Sequence, residues 1–475
     1  MARPKLFDLL ATCRQSELPE LMAFVRSPFW NTAPEQVALF ELLLPHWPAF
    51  TGPSLNKAAL YQTIYPGQTY HDKTLRYLFS QASRLVEGFL RQVHYQKDSA
   101  RQRLDLLRIL SERGLEKAYR HHQRRYEEEQ PAEADWGVTD YLQAYRRAEV
   151  EEQHFGRQRL RQFDTRLEEA ALALDRYYYL QRLIYACGML DRETIFQGKY
   201  TAHLPESWLA HLAQSPHRHD PLIALYYRML MMLRHEEDTH YFELLRDQLL
   251  EEKGLGDSES QRNVYLGAIN YCLRKIRQGP SSFVAEALAL YQLGIERGIL
   301  LEKGELSPWT FTNVVKLALR LHQYEWIEDF MARFSGHLPA AFRNNALHYN
   351  RAELFYYTRR YDEAQAALNQ VVYSDLNYYL GARVMLAKIY YEEREEEVLL
   401  SHLAAFSIFL KRNKEISADL KHTYLNFCDM LYQLLRDRPK VLNTLEERIR
   451  QTHLLTDRQW LLEQLAQKIS PSGSV

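Results

Sequence analysis

Residues 345–376 read NALHYNRAELFYYTRRYDEAQAALNQVVYSDL, and this stretch decides the fold. Two helical patterns are joined by a short basic turn, with one small residue in each pattern, Ala352 and Ala364. Large side chains surround them: Tyr349, Phe355, Tyr361, Leu368 and Val371. Two helices that must approach closely, and a third that must stack on them, need small residues at the contact and large ones around it.

Helix is expected well beyond this stretch. There are only 18 Gly and 17 Pro in 475 residues, and apolar residues make up 46%. Few breakers, with many Leu, Ala, Glu, Arg and Gln, favour an ordered and almost wholly helical chain. Tyr occurs 32 times, often as neighbours such as Tyr356–Tyr357 and Tyr390–Tyr391, and suits half-packed, half-wet surfaces. A net charge of −1 provides no global field for nucleic acid or membrane. Cys13, Cys187, Cys272 and Cys428 are far apart and form no CxxC, which fits a reducing compartment. The apolar run at the start is too short for a signal peptide, and Leu222–Leu233 is too short and too charged to span a bilayer. The expected location is cytoplasmic.

The N-terminal part reads as short helices. Ser16 is the expected N-cap of the first clear one, Pro28 ends it, and another begins near Pro34. Within Leu55–Leu90 a short helix ends at Tyr65-Pro66-Gly67 and a long one follows. This pair is either a hairpin that caps an array or a helix-turn-helix that reads DNA. Arg91–Arg125 then carries ten Lys or Arg against four Asp or Glu, and Tyr126–Glu152 reverses the sign. The two stretches pair with each other, or Arg101, Arg103, Arg120, Arg124 and Arg125 hold an external anion such as a nucleic-acid phosphate. Arg157–Phe196 contains no Pro and reads as one long helical tract. The Gly254–Ser258 cluster and Gly279-Pro280-Ser281-Ser282 are expected loops.

From Leu266 onward the hairpin pattern recurs. Leu266-Gly267 with Ala287, Tyr291 and Gly294 makes one unit. Phe311, Val314, Val315 and Ala318 with Tyr324, Ile327, Met331 and Phe334 make the next, and Pro339 closes it. The opening stretch is the third. Arg383, Leu386, Ala387, Tyr390 and Tyr391 with Leu399, Leu403 and Phe406 make the fourth. These units resemble tetratricopeptide repeats (TPR), 34-residue helix hairpins. Tyr361-Asp362-Glu363-Ala364 is the tetrad most like that family, and the resemblance covers about Leu266–Lys411. His348 and Arg351 depart from it in the third unit, Val315 in the second, Glu396 and Leu399 in the fourth.

The fold expected is therefore all-α, an α-α superhelix (a TPR-like solenoid of antiparallel helix hairpins) behind a helical N-terminal region. The expected divisions are 1–97 (cap or helix-turn-helix), 98–256 (degenerate hairpins), 257–414 (TPR-like repeats), 415–469 (capping helices) and a fraying tail, 470–475.

Local catalytic motifs are missing. His235 and His240 are five apart, about 140° out of phase on a helix, so they do not make the two-histidine zinc face. No P-loop, GxGxxG or GxSxG occurs. Glu392–Glu397 reads as a solvated turn. No cofactor or metal is expected, and the chain reads as a non-enzyme.

The resemblance implies a scaffold whose first helices line a groove for a peptide or protein segment. Carried over position by position, the groove residues are Thr312, Asn313, Lys316 and Arg320, then Tyr349, Asn350, Glu353 and Tyr356, then Lys388 and Tyr391. Met385 and Gly381 stand in the fourth unit where carboxylate-clamping members carry cations, so capture of a C-terminal carboxylate is not implied. A second reading has residues 55–125 bind nucleic acid, with the repeats as sensor or oligomerisation arm.

Overall fold

The computed structural model describes residues 4–52, 55–129, 132–159, 162–195, 198–251, 255–278, 282–372, 376–436 and 439–469. Gly254, the Gly279-Pro280-Ser281 part of its loop and the tail 470–475 lie outside them. The chain is all-α: 23 α-helices occur among the described residues, with one two-residue strand pair. It forms two units, Met1–Gln181 and Arg182–Val475. The divisions expected at 97, 256 and 414 all fall inside these units.

In the first unit, α1 (Lys5–Ala11), α2 (Leu18–Arg26), α3 (Pro34–Leu43) and α4 (Lys57–Ile64) each pack on the long α5 (Asp72–Lys97). Leu75, Leu78, Ala82, Val86 and Phe89 recur at helical spacing and give α5 the face that these helices bury. Pro34 starts α3 as expected. Ser16 does not cap α2. It lies in a 3-10 turn, Gln15–Glu17, where the Glu17 carboxylate instead takes the backbone N–H of Arg14 at 2.8 Å. Next come α6 (Ser99–Glu112), α7 (Glu116–Glu128) and α8 (Val138–Gln158), with α6 packed on both of the others. The tract expected to be continuous over 157–196 is broken: α8 ends at Gln158, Arg159 turns left-handed at φ 53°, and α9 runs Arg166–Ile195.

The second unit continues with α10 (Glu206–Gln214), α11 (Pro221–Arg234), α12 (His240–Glu251), α13 (Ser258–Gln278) and α14 (Ser282–Glu296). A hairpin follows, β1 (Leu301–Glu302) against β2 (Glu305–Leu306), turned by Lys303 and Gly304 at φ 54° and 83°. The remaining helices are α15 (Pro308–Arg320), α16 (Tyr324–Phe334), α17 (Ala340–Tyr357), α18 (Tyr361–Leu368), α19 (Leu376–Glu392), α20 (Glu396–Arg412), α21 (Ala418–Leu435), α22 (Pro439–Gln451) and α23 (Arg458–Ile469). From α11 each helix packs on the next, and α11 also on α13, α15 on α17, α17 on α19, and α21 on α23. Ala352 and Ala364 are both fully buried where α17 meets α18, whereas Arg351 points to solvent and is no part of that contact.

One turn is used repeatedly. Between α15 and α16, His322 takes φ 55°, the N–H of Gln323 donates to Ala318 O and that of His322 to Leu319 O. Arg359 and Arg394 do the same between α17 and α18 and between α19 and α20, as Gly114 does between α6 and α7. These paired bonds satisfy carbonyls that the helix end leaves open, and the left-handed residue reverses the chain within three residues.

Candidate functional site

The first helices α15, α17 and α19 are tied together by a buried polar row. Asn350 Nδ2 donates to Thr312 Oγ1 (3.1 Å) and Ala346 O (2.7 Å), Thr312 Oγ1 lies 3.0 Å from Tyr378 Oη, and Tyr378 Oη donates to Pro308 O (3.1 Å). Asn350 is therefore not a groove residue. It is 0% exposed, and its amide bonds the preceding turn of its own helix and ties α17 to α15 through Thr312. A Cβ on Gly381 would stand 2.9 Å from the Tyr349 ring, so the glycine in α19 leaves the room that ring occupies.

The other expected groove residues converge on two neighbouring clefts of the second unit. Thr312, Asn313, Lys316, Arg320, Tyr349, Glu353 and Lys388 line one of about 640 Å³. Arg320, Tyr356, Lys388 and Tyr391 line one of about 1290 Å³. Thr312, Tyr349 and Glu353 are nearly buried and form the floor, while Lys316 and Arg320 reach solvent. Asn313 Nδ2 donates to Tyr291 Oη at 3.3 Å.

The charges in the clefts alternate. Lys316 Nζ is 3.5 Å from Glu353 Oε1, and Lys388 Nζ is 2.9 Å from Asp457 Oδ1. Burial pushes the Lys388 ammonium down, but Asp457 and Glu353 more than offset this and hold it above the usual lysine range. Lys388 also lies 4.8 Å over the Tyr356 ring and 5.5 Å over that of Trp460. Glu392 is not the solvated turn residue expected. Its carboxylate accepts from Tyr356 Oη, from Tyr361 Oη and, at 2.7 Å, from Trp460 Nε1. Burial and that carboxylate keep both tyrosines protonated, Tyr361 being pushed up to about 12.

Among the residues of this region that sequence reasoning missed are Arg277, Trp309, Tyr357, Asp457 and Trp460. Trp309 follows Pro308 at a helix start, a signal that was available. Asp457 and Trp460 had none, because the turn before α23 and the first turn of α23 reach back to α19 across 69 and 68 residues. That turn is firmly built. Arg458 donates to the carbonyls of Ile449, Arg450 and Thr452, and Asn426 Nδ2 donates to Leu454 O at 2.9 Å.

The basic residues of the first unit are mostly paired. Arg120 Nε is 2.6 Å from Glu116, Arg125 3.2 Å from Glu129 and Arg101 3.8 Å from Asp105, and Arg103 also pairs with Glu129. Arg124 Nε donates to the Arg120 carbonyl. Nearby, Ser111 Oγ lies 2.9 Å from His154 Nδ1, and His154 Nε2 lies 3.1 Å from Glu116 Oε2. The order serine, histidine, carboxylate is that of a hydrolytic triad. Here Ser111 is 5% exposed inside a helix, accepts from Arg157 Nη1, and the imidazole is stacked on Tyr119 at 3.6 Å. The group ties α6, α7 and α8 together.

His235 caps the C-terminal end of α11 and His240 opens α12. Among the described residues, no three His, Cys, Asp or Glu side chains are gathered to hold a metal ion, and no helix is long and apolar enough to cross a membrane. The four cysteines are buried free thiols. No family model, no curated protein and no solved structure matches the chain.

Proposed function

We propose that the chain is a non-catalytic interaction scaffold of the reducing cytoplasm. Its TPR-like hairpins stack as a solenoid, and the groove along their first helices holds a peptide or protein segment. The observation that carries this reading is convergence. Seven residues chosen from sequence positions in three different helices line one cleft of a size suited to a few side chains. The repeated left-handed turn and the packing of α15 on α17 and of α17 on α19 support the stacked arrangement. The ion pairs made by Arg101, Arg103, Arg120 and Arg125 favour it over a nucleic-acid regulator, since a phosphate would have to compete with carboxylates already in place.

The test is capture of partners from the native lysate by the full chain and by two variants. Lys316→Glu/Arg320→Glu alters the cleft, and Arg101→Glu/Arg103→Glu alters the basic helix. Loss of partners with the first variant alone supports the groove. Loss with the second alone, together with steeply salt-dependent binding of duplex DNA by the wild type, would reject it.

A further inference from the structure

We propose that the 640 Å³ cleft receives an internal acidic segment of its partner, laid across Arg277, Lys316 and Arg320 between the rings of Trp309 and Tyr357. The inference rests on the groove reading above and names the chemistry of the occupant.

Charge balance within the cleft is the first ground. Its walls carry four cations, Arg277, Lys316, Arg320 and Lys388, against two carboxylates, Glu353 and Asp457. Both carboxylates are engaged: Asp457 with Lys388 and Glu353 with Lys316. Arg277 and Arg320 are exposed and form no ion pair among the described residues. Beside the paired Asp457, Lys388, Glu353 and Lys316, the cleft therefore carries two guanidinium groups with no carboxylate partner among the described residues, and the charge that would match them is a carboxylate from outside. Two guanidinium groups and a half-exposed ammonium can meet several carboxylates at once, whereas a single anion would leave some of them unmatched.

The second ground is the aromatic pair. Trp309 is 57% exposed and Tyr357 46% exposed, yet both border the cleft. Trp309 is held in place by stacking on Tyr378 at 6.3 Å. Large rings displayed beside cations are the usual anchors of a protein interface.

The third ground is the segment already seated at Lys388, where this cleft meets the larger one. Asp457 places its carboxylate on Lys388, and three residues later Trp460 lays its ring near the same ammonium and against Tyr391 at 5.6 Å. A carboxylate followed by an aromatic is what this surface accepts within its own chain. The partner repeats that chemistry in this cleft. Because Asp457 already occupies Lys388, the partner's carboxylates fall on Lys316, Arg320 and Arg277 instead.

The test uses the full chain and labelled peptides of about 12 residues, acetylated and amidated, in which Phe alternates with Glu, with Gln or with Lys. A fourth peptide has the Gln sequence with a free C-terminal carboxylate. Binding is read by fluorescence anisotropy at about 50 and about 300 mM salt. The Glu peptide is expected to bind at least about tenfold more tightly than the Gln peptide and to weaken with salt. Lys316→Glu/Arg320→Glu, both on the surface, should reduce its affinity by about tenfold or more, and Arg320→Ala should do so in part. Arg412→Glu, on α20 and outside this cleft, should leave it unchanged. Equal binding of the Glu and Gln peptides, preference for the Lys peptide, binding that requires the free C-terminal carboxylate, or undiminished binding by the double variant would each overturn the proposal. If cleft variants still lose lysate partners while no acidic peptide binds, only the chemistry named here fails. If lysate partners are also retained, the groove reading fails with it.

Discussion

Lys388 Nζ and Asp457 Oδ1 lie 2.9 Å apart although 69 residues separate them. The pair joins α19 to the turn that precedes α23, and so brings Thr456 and Asp457 to the wall of the 640 Å³ cleft. Lys388 is 15% exposed and Asp457 27%. Removing one partner of a sheltered pair leaves a charge without its counterpart, the costly half of such an interaction. Asp457→Asn should destabilise the chain by about 2 kcal/mol, below the fully buried case because Asp457 is partly wet and Glu353 remains near. Lys388→Met/Asp457→Asn should recover part of that loss. Lys388 titrates above its ordinary 10.5 in the folded chain. The pair's contribution is therefore complete below pH 10.5 and declines as pH rises through the folded value. Urea unfolding of the four chains at neutral and at high pH checks both the cost and its sign.

Gly381 provides a separate test of packing. The Tyr349 side chain is buried beside it, and an added Cβ would meet Cε2 and Oη at 2.9 Å. Gly381→Ala should cost about 1–3 kcal/mol through overpacking, outweighing the helix propensity it gains. Gly188 in α9 has nothing within 4 Å of such a Cβ, so Gly188→Ala should stabilise by about 0.5–1 kcal/mol. Opposite shifts in melting temperature are expected from the same substitution.

Arg359 holds φ 58° in the turn between α17 and α18, a conformation that costs a residue with a Cβ about 1 kcal/mol. Arg359→Gly should raise stability by about that amount, less the entropy that glycine adds to the unfolded chain. Arg360→Gly, one position on and outside the left-handed region, should lower it. Thermal melts of the two variants decide.

Much of the fold was legible because small and large residues alternate at helical spacing. Ala352, Ala364, Ala318 and Ala387 mark close helix contacts, and all four are fully buried. The turns were harder to read. In three of the four repeated turns His322, Arg359 or Arg394 stands where glycine is the usual signal. The break at Arg159 was missed for the same reason. The lining of the 640 Å³ cleft was legible where neighbouring helices build it, from Thr312 to Lys388. It was misread at Asn350, where a polar side chain at a groove position is turned inward to hold Thr312. It was invisible at Asp457 and Trp460, because a contact made over some 70 residues has no local pattern.

Two histidines predict acid sensitivity. His402 donates from Nε2 to the Arg383 carbonyl at 2.8 Å, and burial keeps its imidazole below the ordinary 6.5. His154 is lowered too, again mainly by burial. Both imidazoles take up a proton less readily in the folded chain, so the unfolded chain binds protons first as the pH falls. Their contribution is complete above pH 6.5 and is lost as pH drops through the folded values. His402→Gln should lower stability at pH 7.5 and flatten the decline between pH 6.5 and 5. Urea titrations across that range measure the slope.

The claim on which the rest depends is that the partner lies in the groove of the first helices. Site-directed photo-cross-linking reads this directly. A benzophenone amino acid replaces Trp309 at the mouth of the cleft or, in a second protein, Ile408, exposed on α20 and away from that cleft. Cross-linking in native lysate and mapping of the joined peptides should give a discrete partner segment from position 309. Excess acidic peptide should suppress that product. A discrete partner from position 408, with none from 309, would contradict the account.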